Sequence, residues 1–158
     1  MITQHEITLA VIADVLPIAQ LSRDTIEQGL TWSWTPRRVL RSVKDDATNV
    51  VVARRAGQLG GFAIMKYGDD EAHLLLLAVR PSQRRQGLGS ALLVWLETTV
   101  RVAGIAAVTL EARADNRPAR AFYAAHGYGI IGRRDGYYEG VEDAVRLRKP
   151  FHSQEERR

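Results

Sequence analysis

The chain contains no cysteine among its 158 residues. This absence excludes disulfide bonds, thiolate metal ligands and a cysteine nucleophile, so any covalent carrier of a group must be another residue type. Long apolar runs are also missing. The longest is Leu74–Val79, far shorter than the ~20 residues that cross a bilayer. The opening MITQHEITLA lacks the basic leader and apolar stretch of a signal peptide, so we expect a cytoplasmic protein with no membrane contact.

Histidine is sparse, and its distribution argues against a metal centre. The four histidines are scattered through the chain without the spacing of metal ligands. We therefore expect no metal. They are His5, His73, His126 and His152.

The composition is that of one folded domain with a basic surface. Apolar residues make up 46% of the chain and charged residues 25%, in a mass of 17.6 kDa. The formal net charge is +4 and the sequence pI is about 9.8. This balance indicates an anionic partner, which leaves open a nucleic acid, a phosphorylated cofactor or solvent counterions.

Hydrophobic periodicity predicts the element order β-α-α-β-β-β-α-β-α-β-β, with a first strand at 2–9 and helices opening at Asp14 and at Thr35-Pro36. The unbroken apolar sequence within Glu71–Val79 predicts a central strand buried on both faces. A helix from Leu88 to about Val102 then makes a parallel crossover to the strand at 107–112. Strands at 128–133 and 142–148 close the domain, joined by a loop that contains glycine and tyrosine.

These elements predict one α/β (mixed α+β) domain over residues 1–151, with a central, mostly antiparallel sheet flanked by helices. Residues 152–158 read as a polar tail. The loop between the first two helices carries Trp32 and Trp34. Two tryptophans in a loop are typical either of core anchors or of a binding-pocket wall, and the sequence leaves both open.

A glycine-rich segment, RPSQRRQGLGSALL, joins the buried strand to the next helix. Gly87 and Gly89 expose backbone N–H groups at a helix start, where the helix dipole favours an anion, and Arg84 and Arg85 add positive charge. The segment predicts a diphosphate site. It lacks the Lys-Ser or Lys-Thr of a Walker loop, and Leu92 stands where a Rossmann fingerprint has its third glycine.

The segment resembles motif A of the GNAT superfamily of N-acetyltransferases, in which an arginine or glutamine precedes the spaced glycines. DEAHLLLLAVRP resembles the central strand of that family, and LEARADNRPARAFYAAHGY resembles its following strand and helix. RRDGYYEGVEDAVRLRK resembles its last hairpin. Together these motifs cover about residues 70–149. They are most similar to the ribosomal-protein-alanine N-acetyltransferase branch, and they imply a single GNAT-like domain.

The resemblance implies that acetyl-CoA is the acyl donor. It assigns strand backbone to the pantetheine arm, loop amides to the diphosphate and an asparagine to a further contact. Asn116 is also a candidate helix N-cap, and both roles stay open. The implied cofactor residues are Leu77, Ala78, Val79, Arg84, Arg85, Gln86, Gly87, Leu88, Gly89, Ser90 and Asn116.

Two residues match the catalytic groups of the family. A tyrosine titrates near ~10 and keeps its proton at pH 7, so Tyr123 is expected to protonate the departing thiolate. Phe122 is expected to take the packing position beside it. Glu111 is expected to act as the base, on the strand face opposite Val108, Leu110 and Ala112, although a solvated or arginine-paired carboxylate is the alternative. Glu71 is a weaker second candidate.

The acceptor is less defined. Tyr137 and Tyr138 match a tyrosine pair that borders the acceptor in peptide N-terminal acetyltransferases, and Trp32 and Trp34 are candidate acceptor contacts. The chain departs from the N-terminal acetyltransferase branch in three places. Leu76 replaces a usual polar residue, Glu139 replaces a usual proline, and the loop that carries Trp32 and Trp34 is unlike the usual acceptor loop of that branch.

We expect direct transfer to a primary amine, with no covalent enzyme intermediate. The acceptor is either a protein or peptide N-terminus or a small amine or amino acid. A non-catalytic acyl-CoA sensor and a nucleic-acid-binding module are the alternatives, although nucleic acid is not the expected partner. A homodimer remains an option.

Overall fold

A computed structural model of the chain describes residues 5–84, 86–140 and 142–151. The described residues form four α-helices and seven strands, with short 3₁₀ turns at Ile12–Asp14 and Pro81–Gln83 and a π-helical turn at Ser22–Ile26. The helices are α1 Val15–Leu21, α2 Pro36–Lys44, α3 Leu88–Ala103 and α4 Arg117–Ala125. The strands are β1 Glu6–Leu9, β2 Thr48–Arg55, β3 Gln58–Tyr67, β4 Glu71–Val79, β5 Ala107–Arg113, β6 Gly129–Tyr138 and β7 Glu142–Pro150.

The strands follow the order β1-β2-β3-β4-β5-β7-β6 in the sheet. The pairs β1–β2, β2–β3, β5–β7 and β6–β7 are antiparallel, and β4 pairs with β5 in parallel. This confirms the predicted mixed, mostly antiparallel sheet with flanking helices. The chain divides into two compact units. The first comprises residues 1–67 and 75–99, and the second comprises residues 68–74 and 100–158.

The first unit is built on an antiparallel meander. The β2–β3 hairpin turns at Ala56 and Gly57, which both have positive φ, as a tight hairpin turn requires. The core beneath it contains Ile18, Phe62 and Ile64, all fully buried. Because these side chains come from α1 and β3, the helices and the meander share one apolar layer.

An ion pair connects α1 to β2 within the first unit. Asp14, which precedes α1, is 3% exposed and accepts hydrogen bonds from the Arg54 guanidinium and from the backbone N–H of Val11. Thr35 caps α2 through its hydroxyl, which accepts from the Arg38 N–H. Both predicted helix starts are confirmed.

The second unit pairs β5 with β7 and β7 with β6, and α4 packs within it. Its core includes Val108, Leu110 and Leu147, and Phe151 is also buried. The pairing of β4 with β5 covers Glu71–Leu74 and Ala107–Leu110, and β4 itself continues to Val79. The parallel crossover expected through α3 is therefore present.

Two predictions about strands were wrong. In β4 only one face is fully buried, because His73, Leu75, Leu77 and Val79 alternate with buried residues and are only partly buried. The last hairpin has a longer first strand than expected: β6 continues to Tyr138, since Tyr138 pairs with Glu142 and Asp143 accepts from the Gly136 N–H.

Two predicted segments fall outside the described residues. They are residues 2–4 of the predicted first strand and the whole polar tail at 152–158. Within the described part of the chain, no helix is long and apolar enough to cross a membrane. The single-domain boundary at 1–151 stays a prediction.

Candidate active site

The glycine-rich loop ends at the first turn of α3. Gly87 has φ of +78°, and no atom lies within 4 Å of the place where a side chain would begin. The Ala91 N–H donates to the Gly87 carbonyl, so the helix starts here and the N–H groups of its first turn have no acceptor within the helix. Arg84 and Gln86 are exposed, and Arg85 lies outside the described residues. The loop offers an open, electropositive backbone surface.

Two glycines of β3 allow the chain to pack closely against the entrance to this loop. A Cβ on Gly60 would lie 2.3 Å from Oε1 of Gln83, and a Cβ on Gly61 would lie 2.8 Å from the Ala78 carbonyl oxygen. Arg80 reinforces this packing, since its Nε donates to the Leu59 carbonyl at 2.6 Å. These contacts hold the turn after β4 in one position.

The C-terminal part of β4 runs past its parallel pairing. Leu77 and Val79 are half-exposed, and Ala78 is buried. The pairing with β5 ends at Leu74. Backbone groups past that point are available to an extended ligand, as β-strand addition requires.

Asn116 caps α4. Its side-chain oxygen accepts from the Ala119 N–H at 3.1 Å, and the residue is exposed. The capping role that the sequence left open is therefore present. The cofactor contact stays a prediction.

Glu111 lies in a polar network on one face of the second unit. Its Oε2 is 2.7 Å from Nε2 of His73, and its Oε1 is 3.4 Å from Nε of Arg146. Nδ1 of His73 is 2.8 Å from the Thr109 hydroxyl. The strand register explains the network, because His73 lies opposite Thr109, and Glu111 lies opposite Arg146. Glu111 is therefore the arginine-paired carboxylate that the sequence left as an alternative, and it also pairs with His73.

This network keeps Glu111 ionised. Burial alone raises the pKa of the carboxyl, but the hydrogen bond and charge of His73 and the charges of Arg146 and Arg134 outweigh it and lower the pKa below its usual value. The Glu111 side chain is 8% exposed, whereas that of His73 is 32% exposed. The histidine is therefore the more accessible member of the pair.

Sequence reasoning did not identify His73 as a functional residue. Its only signal was a polar residue inside an apolar strand. The partner of that residue depends on the register between β4 and β5, which are separated by a helix. Glu71, the second carboxylate candidate, is exposed and lies 3.4 Å from Nε of Arg148.

Tyr123 is the buried aromatic residue of α4. It is 8% exposed, its ring packs edge-on against Phe122 at 5.1 Å and against Tyr128 at 5.7 Å, and burial followed by the nearby Tyr138 raises its pKa well above the usual value. The prediction that Phe122 takes the packing position was wrong. Phe122 is half-buried against His126, because α4 turns Tyr123 toward the core.

Tyr137 and Tyr138 form an edge-on pair at the end of β6, with ring centroids 4.9 Å apart. Tyr137 is exposed, whereas Tyr138 is half-buried. Burial, Tyr137 and Glu111 raise the pKa of Tyr138 to about 12, against the opposing charge of Arg113. Tyr138 is thus an electrostatic neighbour of both Glu111 and Tyr123, so the second unit brings these three predicted residues together.

The tryptophans lie in the first unit. Trp34 is 7% exposed and belongs to the core, with the Arg38 guanidinium 3.8 Å from its ring centroid. Trp32 is half-buried, and its Nε1 donates to the Ala19 carbonyl in α1 at 3.1 Å. The structure therefore supports the anchoring role for both, and acceptor contact stays a prediction.

Glu27 is a second residue that sequence reasoning missed. It is 6% exposed, and its Oε1 accepts from the Ser33 N–H and hydroxyl, both at 2.7 Å, and from the Trp34 N–H at 3.1 Å. Its Oε2 accepts from the Ser22 hydroxyl at 3.0 Å. This buried carboxylate holds the tryptophan loop against the π-helical turn that follows α1.

Metal-binding groups are not assembled among the described residues: no three His, Asp or Glu side chains there form a metal site.

Comparison with known proteins gives the family. A model of the acetyltransferase (GNAT) family matches residues 17–128. The [ribosomal protein bS18]-alanine N-acetyltransferase of Escherichia coli strain K12 is 40% identical over 98 residues, which cover 60% of this chain and 66% of that relative. The match thus spans slightly less than two thirds of that curated relative.

Two solved structures extend the similarity over nearly the whole chain. The ribosomal-protein-S18-alanine N-acetyltransferase of Escherichia coli is 31% identical with a TM-score of 0.79, over 94% of this chain and 95% of that one. Ard1 from Thermoplasma volcanium is 27% identical with a TM-score of 0.82, and the match covers 92% of this chain and 97% of the Ard1 chain. The resemblance drawn from the motifs is confirmed, and the chain belongs to the acetyltransferase (GNAT) family.

Proposed function

We propose that the chain transfers an acetyl group from acetyl-CoA directly to the α-amino group of a polypeptide. The observation that carries this proposal is the grouping of Glu111 with His73, and of both Glu111 and Tyr123 with Tyr138, in one unit. That grouping supplies a proton acceptor and a proton donor without a nucleophile that would carry the acyl group. The absence of cysteine is consistent with direct transfer.

Residues of the first unit fit acetyl-CoA, the acetyl donor. The backbone of Gly87, Leu88 and Gly89 would hold the diphosphate, because the N–H groups at the start of α3 have no acceptor within the helix and the open space at Gly87 leaves room for phosphate oxygens. The backbone of Leu77–Val79 would pair with the pantetheine arm. When bound, acetyl-CoA supplies the activated thioester.

Glu111 and His73 act as the base in this proposal. The low pKa of Glu111 makes the isolated carboxylate a weak proton acceptor, so the proton is shared by the pair. The Thr109 hydroxyl accepts a hydrogen bond from a protonated Nδ1 of His73 and donates to a neutral one, so either protonation state of the ring is satisfied.

The weakness of this base favours an α-amino acceptor over a lysine side chain. An α-amino group titrates near ~7.7–8.0, so roughly a tenth of it is neutral at pH 7. A lysine titrates near ~10.4, so well under a thousandth is neutral. A base of low pKa therefore suffices for a polypeptide N-terminus.

Tyr123 acts as the proton donor. Because its pKa is raised, it keeps its proton throughout the neutral range and can donate a hydrogen bond to the departing sulfur. Tyr137 and Tyr138 would border the first residue of the acceptor. The names of two relatives, which specify N-acetylation of an alanine of a ribosomal protein, support a polypeptide acceptor.

The test is a panel of acceptors, scored by thiol release from acetyl-CoA. Ala- and Ser-starting peptides with free N-termini are compared with the same peptides N-terminally blocked but carrying a lysine, and with small amines and amino acids. We expect turnover of the free peptides alone. Turnover of blocked peptides, or of small amines only, would contradict the proposal that the acceptor is a polypeptide α-amino group. The absence of any thiol release would contradict the proposed acetyl transfer.

A further inference from the structure

A cleft in the first unit is lined by none of the residues assigned to cofactor binding or proton transfer, and it shares Trp34 with the candidate acceptor contacts. Its volume is about 370 Å³, and it lies beside α2 and the adjoining ends of β2 and β3. The residues that line it include Trp34, Arg38, Arg41, Asp45, Lys66 and Leu75. We call it the basic cleft.

The charges in the basic cleft do not balance. Three cations, Arg38, Arg41 and Lys66, face a single carboxylate, that of Asp45. Arg41 and Lys66 are exposed, and neither forms an ion pair or side-chain hydrogen bond with any other described residue. Positive charge therefore remains available for a ligand.

The Asp45 carboxylate already accepts hydrogen bonds from residues of its own turn. Its Oδ2 accepts from the Thr48 hydroxyl at 2.6 Å, and its Oδ1 accepts from the Ala47 N–H at 3.2 Å. The Thr48 hydrogen bond, the Ala47 N–H and the charge of Lys66 together lower the pKa of Asp45 despite the small opposing effect of burial. Because this carboxylate closes the turn between α2 and β2, it neutralises the cleft only in part.

The aromatic wall distinguishes between two kinds of anionic partner. Single-stranded nucleic acids stack their bases on open aromatic faces. Trp34 is 7% exposed, and the Arg38 guanidinium lies over its ring, so the cleft offers no open aromatic face. Carboxylate side chains need only cations and hydrogen-bond donors, which Arg41, Lys66 and the Ser42 hydroxyl supply.

We propose that the basic cleft binds an acidic segment of the acceptor polypeptide, with Arg41 and Lys66 pairing with Asp or Glu side chains. The proposal rests on the polypeptide acceptor proposed above and narrows its substrate class to chains that carry acidic residues. Ion pairs at an exposed site contribute little individually, so two of them shift affinity several-fold and depend on salt.

The experiment measures binding separately from catalysis. A fluorescent peptide rich in Asp and Glu, acetylated at its N-terminus so that it cannot be an acceptor, is titrated with the full chain at low salt. A peptide with Asn and Gln at the same positions is the matched ligand. The variant is Arg41→Ala with Lys66→Ala, and the control is Arg37→Ala, an exposed cation of the same helix that does not line the cleft.

We expect the acidic peptide to bind about threefold to tenfold more weakly to the double variant, and unchanged to Arg37→Ala. The preference for the acidic peptide should disappear at 0.5 M salt. In the turnover assay, the double variant should raise KM for free acidic peptides with kcat unchanged, and leave neutral peptides unaffected. Because the blocked peptide cannot react, its binding supports the cleft even where no peptide is turned over, which separates this proposal from the proposed activity.

Three results would overturn the proposal. They are equal binding of the acidic and neutral peptides, undiminished binding to the double variant, and binding of a single-stranded oligonucleotide but not of the acidic peptide. Circular dichroism of both variants shows whether they are folded. Because the substituted side chains on α2 and β3 are exposed, we expect the spectra to match that of wild type.

Discussion

Nε2 of His73 lies 2.7 Å from Oε2 of Glu111, and this contact joins two parallel neighbouring strands. Glu111 is consequently both the candidate base and a member of a structural ion pair. The same hydrogen bond that orients the carboxylate lowers its pKa and weakens it as a base. Substitution of Glu111 should therefore change both the stability of the fold and the rate of transfer.

The first prediction concerns acid stability. The folded-state pKa of Glu111 is below the ordinary value of 4.5, so ionised Glu111 stabilises the fold above that pH, and this stabilisation is lost as the pH falls through the folded pKa. Glu111→Gln should reduce the free energy of unfolding by about 1–3 kcal/mol at pH 7, and the difference from wild type should shrink below pH 4.5. Urea unfolding at a series of pH values measures this.

Asp135→Asn is the matched control, because Asp135 is a highly exposed carboxylate paired with Arg133. Exposed pairs contribute little, so its unfolding curves should follow those of wild type at every pH. A constant difference between Glu111→Gln and wild type from pH 7 to pH 3.5 would show that the ion pair is not what the substitution removes.

The second prediction concerns the pH dependence of the rate. Glu111→Gln should lower kcat/KM by about 10²-fold at pH 7 and recover in part near pH 9, where an α-amino group loses its proton without help. His73→Gln should show the same recovery. Glu71→Gln, a change of an exposed carboxylate on the same strand as His73, should stay within about twofold of wild type. A loss in Glu111→Gln that is independent of pH would assign Glu111 to positioning or folding.

Local sequence patterns predicted most of the elements. The bounds of β4 match the structure, and those of α3 agree to within about a residue. Both elements have a strong local signal in their apolar sequence, and Thr35-Pro36 marks the start of α2. The central position of β4 was also correct, although its half-exposed face was not anticipated, because an apolar run does not reveal which face is covered.

The contacts that connect distant positions were not predicted. Glu27 reaches Ser33 and Trp34 through irregular backbone, for which no periodic signal exists. The pairing of His73 with Glu111 depends on strand register across a helical crossover. The family resemblance identified Glu111 and Tyr123, but it did not indicate that Tyr138 lies close to both.

The third prediction concerns the glycine-rich loop. Gly87→Asp should abolish the rise in Tm that acetyl-CoA produces, because a side chain there enters the space assigned to the diphosphate and its charge repels phosphate. Gly57→Asp is a matched control, since Gly57 has the same φ of +78° and equally open surroundings. Both variants should lose about 1 kcal/mol of stability through backbone strain, and only Gly87→Asp should lose ligand stabilisation.

Thermal shift with and without acetyl-CoA measures both effects at once. An undiminished shift in Gly87→Asp would remove the loop from the cofactor site. An equal loss of the shift in Gly57→Asp would instead attribute the effect to general destabilisation.

The fourth prediction concerns Glu27. Glu27→Ala leaves buried N–H and hydroxyl donors without an acceptor, so the free energy of unfolding should fall by about 2–4 kcal/mol. Glu27→Gln keeps one carbonyl oxygen and should lose less. Asp46→Ala, at an exposed site, serves as the control in the same denaturation series. A loss below 0.5 kcal/mol in Glu27→Ala would show that water replaces the carboxylate in this segment.

The fifth prediction concerns Tyr123. Tyr123→Phe removes the hydroxyl and keeps the buried ring, so kcat should fall by about 10²-fold, the scale expected for a lost general acid, while acetyl-CoA affinity stays within twofold. Since burial raises the pKa of Tyr123, the wild-type rate should show no decline from tyrosine ionisation between pH 7 and pH 9. Stopped-flow or steady-state thiol release gives kcat, and the Tm shift gives the affinity.

Tyr128→Phe distinguishes proton donation from packing. Tyr128 is 4% exposed, its ring lies 5.7 Å from that of Tyr123, and it has no assigned part in the reaction. Because phenylalanine retains both rings' packing, the two variants should have similar Tm values but different kcat values. A wild-type kcat in Tyr123→Phe would leave the residue with a packing role alone. An equal loss in both variants would mean that the aromatic cluster, rather than the Tyr123 hydroxyl, governs the rate.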